Sequence, residues 1–267
     1  MYPTAETAAV PVLDLDRPDF AITGDVVHQA REKNWYAKTN YGIAVLRYDE
    51  VSRAGAVEVV DAPLRVVGRA VPAVARRAAV VLPLEELRDH LALRLDGSLD
   101  DRRANPRDDF VTRFVSHTRD ADKRSIEEAR DGLVLLIFGG YDTTQHQLGL
   151  AMQTFMTHPD QWRLLAERPE LGRAAVEEVM RVNPTVRWVS RQALETFEYN
   201  GLQIDEGTTV HLFSESAGTD PRVFWPPQVD ITAERKAHYG FGGGTHHCLG
   251  HFVARSDMSE ALPLLAL

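Results

Sequence analysis

Near its carboxyl end the chain reads Phe241-Gly242-Gly243-Gly244-Thr245-His246-His247-Cys248-Leu249-Gly250. The glycines of this loop allow the main chain to bend tightly and to direct backbone N–H groups toward the sulfur of Cys248. Free N–H groups and the start of a helix stabilise a thiolate, and a thiolate held there can ligate iron. Gly250 removes a side chain where a flat cofactor would approach the helix. We therefore interpret Cys248 as a metal ligand rather than an inert buried residue.

The same loop permits a zinc-binding interpretation, because it places four potential ligands within six residues: His246, His247, Cys248 and His251. Neighbouring residues on one short loop do not easily surround a tetrahedral ion, so zinc is the weaker alternative. Cys248 is the single cysteine of the chain, which excludes an internal disulfide framework and a multi-cysteine zinc finger.

A second informative segment lies in the middle of a long predicted helix, residues 125–156. Its apolar run is followed by Gly139, Gly140, Asp142 and Thr143. A glycine pair permits local opening of a helix, and polar groups there are costly unless they meet water, a ligand or each other. The pattern indicates either an exposed polar stripe or a site that binds and protonates dioxygen over a metal.

A third segment reads Glu178-Val179-Met180-Arg181. Residues three apart share one helix face, so Glu178 and Arg181 can form an ion pair. If exposed, such a pair stabilises a helix by about 0.2–0.5 kcal/mol.

Together with Arg191, the three segments resemble the haem-thiolate monooxygenases, the cytochrome P450 superfamily, in its soluble bacterial type. The resemblance covers residues 100–267, and Gly42–Val51 resembles the small N-terminal sheet of that family. It implies a mainly α fold with small β-sheets. Glu178 and Arg181 then match a structural pair that holds the haem-binding core.

The resemblance also implies a role for each matching residue. Cys248 becomes the axial ligand of the iron in haem b, iron protoporphyrin IX. Thr143 would hydrogen-bond the bound dioxygen, and Asp142 would relay protons to it. Arg191 and His246 match positions that bind the haem propionates. The cofactor-binding residues are Gly139, Gly140, Arg191, Phe241, His246, Cys248 and Gly250.

The implied activity is a monooxygenase reaction that inserts one atom of dioxygen into a small, mostly apolar organic molecule. The segments resemble bacterial members that tailor secondary metabolites such as polyketides or peptides. Electrons would come from a ferredoxin-type partner, because no fused reductase, flavin or dinucleotide motif is visible. The alternative is a haem-binding or carrier-docking module without turnover.

Composition narrows the choice of partners. The chain has 267 residues, with 30 basic and 39 acidic side chains and a formal charge of −9, which argues against nucleic acid as the partner. The amino terminus carries no secretory signal, and no run of eighteen apolar residues is free of charges. We expect a cytoplasmic protein without a membrane partner.

We expect a single domain over residues 1–267, in three parts. Residues 1–56 hold a helix at Asp25–Lys33 and a hairpin of Trp35–Lys38 and Gly42–Arg47 with its turn at Asn40. Residues 57–99 are a shortened or interrupted region, and residues 100–267 are the haem-binding core. Further predicted elements are amphipathic helices within 57–82, helices at 83–95 and 170–182, a charged turn at 100–109, strands within 186–207, and a last helix from about Leu249.

The chain departs from the family pattern in three ways. Ala233 stands where the family has an arginine of the Glu-Arg network, and Arg235 is expected to substitute. The strands that usually follow the cysteine helix are not present after it. The stretch between Val51 and Leu84 is too short for the usual middle helices, so the chain is either shortened or lacks intervening segments.

Overall fold

The structure is a computed structural model that describes residues 3–4, 7–22, 24–56, 64–66, 95–116 and 125–267. The helices are α1 (Asp25–Lys33), α2 (Tyr48–Ala56), α3 (residues 95–104), α4 (Phe110–Ser116), α5 (Ile126–Met156), α6 (Pro159–Glu167), α7 (Gly172–Val182), α8 (Ser214–Gly218) and α9 (His251–Ala266). The strands are β1 (Val12–Leu13), β2 (Tyr36–Thr39), β3 (Gly42–Val45), β4 (Leu64–Val66), β5 (Trp188–Ala193), β6 (Phe197–Tyr199), β7 (Leu202–Ile204) and β8 (Thr209–Phe213). Short 3₁₀ turns cover Pro169–Leu171 and Gly244–His246.

The chain forms two compact units. One comprises Met1–Ala75 together with Thr144–Leu267, and the other comprises Arg76–Thr143. The boundary between them falls inside α5. Each unit is described by itself below.

The first unit contains a sheet in which the described strands follow the order β1-β2-β3-β8-β5-β4. The hairpin β2–β3 is antiparallel, β3 pairs with β8 in parallel, and β5 pairs with β8 antiparallel. In this register Arg191 lies opposite Val210, and Ser190 lies opposite His211. Strands β6 and β7 form a separate hairpin. The sheet therefore places Arg191 on an inner strand, paired with β8 on one side and with β4 on the other.

Apolar side chains cover both faces of this sheet. Ile43, Val210 and Leu212 belong to one buried cluster, whereas Ala44 and Phe213 belong to another. Because successive strand residues point to opposite faces, this division follows directly from the alternation along β3 and β8. Strands β3 and β8 are therefore buried on both sides.

A helical core holds the second half of the first unit together. Phe155 of α5, Val179 of α7 and Leu262 of α9 are buried in one cluster with α6. Helices α7 and α9 approach so closely that a Cβ added at Gly172 would lie 2.4 Å from the backbone oxygen of Ser259. This contact fixes the helix that follows the cysteine loop.

The second unit is a small helical cluster. Leu99 of α3, Val115 of α4 and Leu133 of α5 are buried against one another. Arg102 holds the α3–α4 turn, since its guanidinium pairs with Asp101 and Asp109 at 2.5 Å each. These contacts place the amino-terminal part of α5.

Helix α1, the β2–β3 hairpin and α5 confirm the prediction from the sequence, as do helix 172–182 and the strands within 186–207. The last helix begins at His251, two residues after the predicted start. Along the parts of the chain that the structure describes, no helix is long and apolar enough to span a membrane.

Three predicted boundaries are wrong. Leu64–Val66 is a strand paired with β5, not part of a helix, because an exposed edge of the sheet accepts it. Residues 100–104 continue α3, so the charged turn is limited to 105–109. Pro159 begins α6 instead of only closing α5, since proline suits the first turn of a helix. The other helices predicted between residues 57 and 94 lie outside the described residues.

Candidate functional site

The glycine-rich loop closes on itself just before α9. The Cys248 N–H donates to the Phe241 carbonyl at 2.9 Å. Gly242 and Gly244 have φ values of 73° and 67°, in the left-handed region that favours glycine. The loop thus returns to its own start and presents Cys248 three residues before the first residue of α9. The thiol is free and exposed.

The surface beside the thiol is unusually apolar. Leu249 is 84% exposed, Phe252 74% and Val253 65%. Phe252 and Val253 lie in the first turn of α9, and Leu249 lies two residues before that helix, so all three follow Cys248 closely along the chain. A Cβ added at Gly250 would meet no heavy atom within 4 Å. An exposed sulfur next to an exposed apolar face and open space fits a flat, apolar, metal-bearing group such as haem.

The zinc interpretation needs several ligands that converge on one point. Among the residues that the structure describes, no group of three or more His, Cys, Asp or Glu side chains is placed to hold a metal ion. His247 and His251 instead meet edge to face, with ring centroids 4.5 Å apart. The arrangement required for a tetrahedral site is therefore not found there.

The two predicted propionate-binding residues occupy different surroundings. Arg191 is buried on β5, and its Nη1 donates to the Ser190 carbonyl at 3.1 Å. His246 is exposed at the end of the 3₁₀ turn that precedes Cys248. Both belong to the unit that contains Cys248. Their roles toward a cofactor stay predictions.

The ion pair of α7 is buried, contrary to the exposed pair considered in the sequence. Arg181 donates to Glu178 through Nη2 at 2.6 Å and Nε at 2.8 Å, and both side chains are at most 3% exposed. Arg181 Nη1 also donates to the Gly218 carbonyl at 2.7 Å. Arg235 Nη2 lies 3.4 Å from Glu178, which confirms that Arg235 completes the network. Because both side chains are removed from water, loss of one partner would leave the other charge buried and unpaired, which destabilises a protein far more than loss of a surface pair does.

The polar segment of α5 lies in the other unit. The helix is continuous through Gly139 and Gly140, so the local opening that the glycines permit is not present. Thr143 Oγ1 donates to the Gly139 carbonyl at 2.7 Å, one turn back along the helix. Asp142 and Thr143 are partly buried. Their proposed catalytic roles stay predictions.

Sequence reasoning missed a second ionic network around Glu177. Arg255 of α9 and His238 both contact this carboxylate. Burial raises the pKa of Glu177, but the hydrogen bonds from His238 and Arg255 outweigh it and lower the pKa to about 2. The adjacent acids Glu177 and Glu178 were the available signal for this network. Two neighbouring residues of a helix point in different directions, so each acid needs its own partners.

A buried histidine on β8 was also missed. His211 is 1% exposed, and its Nδ1 lies 2.8 Å from Ser190 Oγ. Burial lowers the pKa of His211 to about 4, so the ring is neutral near pH 7.

Comparison with known proteins bears on the same segments. The family model described as Cytochrome P450 matches residues 160–265, which include Glu178, Arg181, Arg191 and Cys248. Luteothin monooxygenase of Streptomyces thioluteus is 42% identical over 175 residues, which cover 64% of this chain and 43% of that protein. The chain thus spans less than half the length of this relative.

Two solved structures show the extent of the shared fold. CxnD, described as a cytochrome P450 enzyme for C–S bond formation in chuangxinmycin biosynthesis, is 32% identical, with a TM-score of 0.63 over 68% of this chain and 45% of that one. SgvP, from the tailoring step of griseoviridin, is 19% identical, with a TM-score of 0.77 over 97% of this chain and 91% of that one. The mainly helical fold with small sheets is confirmed.

Proposed function

We propose that this chain, a relative of the cytochrome P450 enzymes that matches their family model over residues 160–265, is the haem-binding part of a monooxygenase. The observation that carries the proposal is the setting of Cys248. Its sulfur is exposed at the end of a closed glycine-rich loop, beside an apolar face formed by Leu249, Phe252 and Val253. A thiolate in that setting suits an axial ligand of haem iron.

The residues that would hold haem are those of the loop and of β5. Cys248 supplies the ligand sulfur, and Phe241 and Gly250 border it. Arg191 and His246 offer a cation and an imidazole for the propionates. Haem b, when bound there, supplies an iron centre that activates dioxygen, with electron density donated by the thiolate.

The side chains proposed to handle protons are Asp142 and Thr143. Thr143 Oγ1 donates its own hydrogen to the Gly139 carbonyl. The lone pairs of this hydroxyl oxygen point away from that bond and can accept a hydrogen bond from a proton donor. A carboxylate beside it, Asp142, can take up and release the proton that passes through this hydroxyl. Thr143 would then orient the proton donor through a hydrogen bond, while Asp142 would exchange protons with solvent.

The proposed substrate is a small, mostly apolar organic molecule of the secondary-metabolite type. Support comes from the names of luteothin monooxygenase and of CxnD in chuangxinmycin biosynthesis. On α5, Leu135 and Tyr141 are more than two-thirds exposed, and they offer apolar contact area in the second unit. A ferredoxin-type electron donor remains a prediction from the resemblance, and a cytoplasmic location remains a prediction from the sequence.

The experiment is reconstitution of the chain with haem, followed by reduction and exposure to carbon monoxide. We expect the red-shifted Soret band that is typical of thiolate ligation in the native protein, and its loss in Cys248→Ala and Cys248→His. Absence of this band in the native, folded and haem-loaded protein would refute the proposal. Haem retention with the band, but without peroxide-driven oxidation of any apolar substrate tested, would instead indicate the module without turnover.

A further inference from the structure

The carboxylate of Glu177 joins three parts of the first unit at one point. Arg255 of α9 donates to it through Nε at 2.5 Å and Nη2 at 3.2 Å. His238, from the segment before the cysteine loop, places Nε2 at 3.0 Å. Glu177 itself lies on α7. One side chain therefore connects α7, α9 and the chain that leads into the loop.

The hydrogen bonds assign the tautomer of His238. The Gly240 N–H donates to His238 Nδ1 at 3.0 Å, so Nδ1 is the acceptor and Nε2 carries the hydrogen. Nε2 then donates to Glu177, and the ring transmits the position of the carboxylate to the backbone of the loop. A Cβ added at Gly240 would lie 2.8 Å from the Met180 carbonyl, so the loop rests directly on α7 at this residue.

Arg255 reaches the loop from the other side. Its guanidinium lies 4.4 Å from the centroid of the Phe241 ring, a cation–π contact. Its Nη1 also lies 2.6 Å from His251 Nδ1, at the start of α9. Phe241 in turn accepts the hydrogen bond from the Cys248 N–H. The contacts are thus continuous from Glu177, through Arg255 and Phe241, to the backbone of the cysteine.

The charge of Glu177 suits this arrangement. The side chain of His238 is 4% exposed and that of Arg255 is 22% exposed, so both donors are largely removed from water. A neutral acceptor in place of Glu177 would leave Arg255 without a counter-ion at this point. This network is separate from that of Glu178 and Arg181, which binds α7 to the segments around Gly218 and Gln228.

We infer that Glu177 is a positioning residue for the sulfur of Cys248: it holds His238 and Arg255, and through them the two ends of the loop that presents the thiol. The inference rests on the proposed role of Cys248 as the haem ligand. Glu177 acts on the loop through His238 and Arg255, the two partners that its carboxylate binds.

The test uses the full chain and three variants: Glu177→Gln, Arg255→Gln and both together. Hydrogen exchange is measured for the Gly240 and Cys248 amides in the protein without haem. Loss of the charged acceptor should raise their exchange rates about tenfold or more, because the loop opens more often. The double variant should raise the exchange rates by less than the product of the two single effects, since both changes remove the same Glu177–Arg255 contact. The matched control is Glu170→Gln, which removes an exposed ion pair with Arg168 away from the loop.

A second readout is the thiolate-type Soret band of the reduced, carbon monoxide-treated haem protein. Glu177→Gln should lose this band faster than the native chain, whereas Glu170→Gln should retain it. If Glu177→Gln does not fold, Glu177→Asp keeps the charge and shortens the reach, and should raise amide exchange to a smaller extent.

The inference is overturned if exchange at Gly240 and Cys248 in the folded Glu177 variant equals that in the Glu170→Gln control. A native chain that shows no thiolate band would refute the proposed function instead, while the exchange rates would still decide the role of Glu177. The two failures are therefore distinguishable.

Discussion

Removal of the Glu178 carboxylate should destabilise the protein severely. Four hydrogen bonds converge on this side chain: Arg181 Nη2 and Nε at 2.6 and 2.8 Å, the Asp230 N–H at 3.0 Å, and Arg235 Nη2 at 3.4 Å. Glu178→Ala leaves the guanidinium of Arg181, which is 1% exposed, bonded to the backbone carbonyls of Gly218, Pro227 and Gln228, and it removes the carboxylate that balances its charge.

The magnitude follows from the burial of the charge. Removing one partner of a buried ion pair costs about 3–5 kcal/mol, because the other charge stays in a medium of low polarity. A typical domain has about 5–15 kcal/mol of total stability, so the variant should lose a large part of it. An exposed pair of the same residue types would contribute only about 0–1 kcal/mol.

The assay is urea unfolding of the native chain, Glu178→Ala and Glu170→Ala, followed by far-UV circular dichroism. We expect a lower midpoint with an unchanged slope for Glu178→Ala, and a midpoint close to that of the native chain for Glu170→Ala, whose ion pair with Arg168 is exposed. If the midpoint of Glu178→Ala is as close to that of the native chain as the midpoint of Glu170→Ala, the Glu178–Arg181 pair is not desolvated in solution and the reasoning fails.

Three further predictions address other parts of the chain. Thr143→Ala should keep the thiolate-type spectrum but divert reducing equivalents into peroxide, which a peroxide assay measures; unchanged coupling would remove Thr143 from the proton path. Since burial lowers the pKa of His211 to about 4 from 6.5, the unfolded chain takes up a proton first as the pH falls, and the native protein should lose about 2–3 kcal/mol between pH 6.5 and 4. His211→Gln should lose correspondingly less in pH-dependent urea titrations, and an identical loss would contradict the assignment. Gly172→Ala should cost about 1–3 kcal/mol, because its methyl group meets Ser259 O at 2.4 Å. Gly149→Ala on α5 meets nothing within 4 Å and should stabilise the helix by about 0.5–1 kcal/mol, and equal midpoints for the two variants would contradict the close packing of α7 and α9.

Local patterns were sufficient for several elements of the fold. Helix α5 follows from a long helical pattern between turn-forming ends, and the β2–β3 hairpin follows from two short apolar runs around Asn40. Pro159 shows the limit of such patterns, because a proline after a helix also starts the next one. Leu64–Val66 shows another, since a three-residue strand forms only where a sheet edge accepts it.

The candidate site divides in the same way. The glycines around Cys248 predict a tight loop, because glycine adopts positive φ values without a steric penalty, as Gly242 and Gly244 do. How the loop is held depends on contacts between residues far apart in the chain, such as those of Arg255 with Glu177 and of Gly240 with Met180. No local pattern carries that information.

The amino-acid sequence by itself determined the chemistry that this protein can offer: one cysteine in a glycine-rich loop, a polar segment in a long apolar helix, and an acid–arginine pair. The tertiary structure decided how strongly each of these groups acts. It buried Glu178 with Arg181, and it brought His238 and Arg255 to Glu177. The physical reason is that the energy of a charge depends on its distance from water and from its partners, and only the folded chain sets those distances.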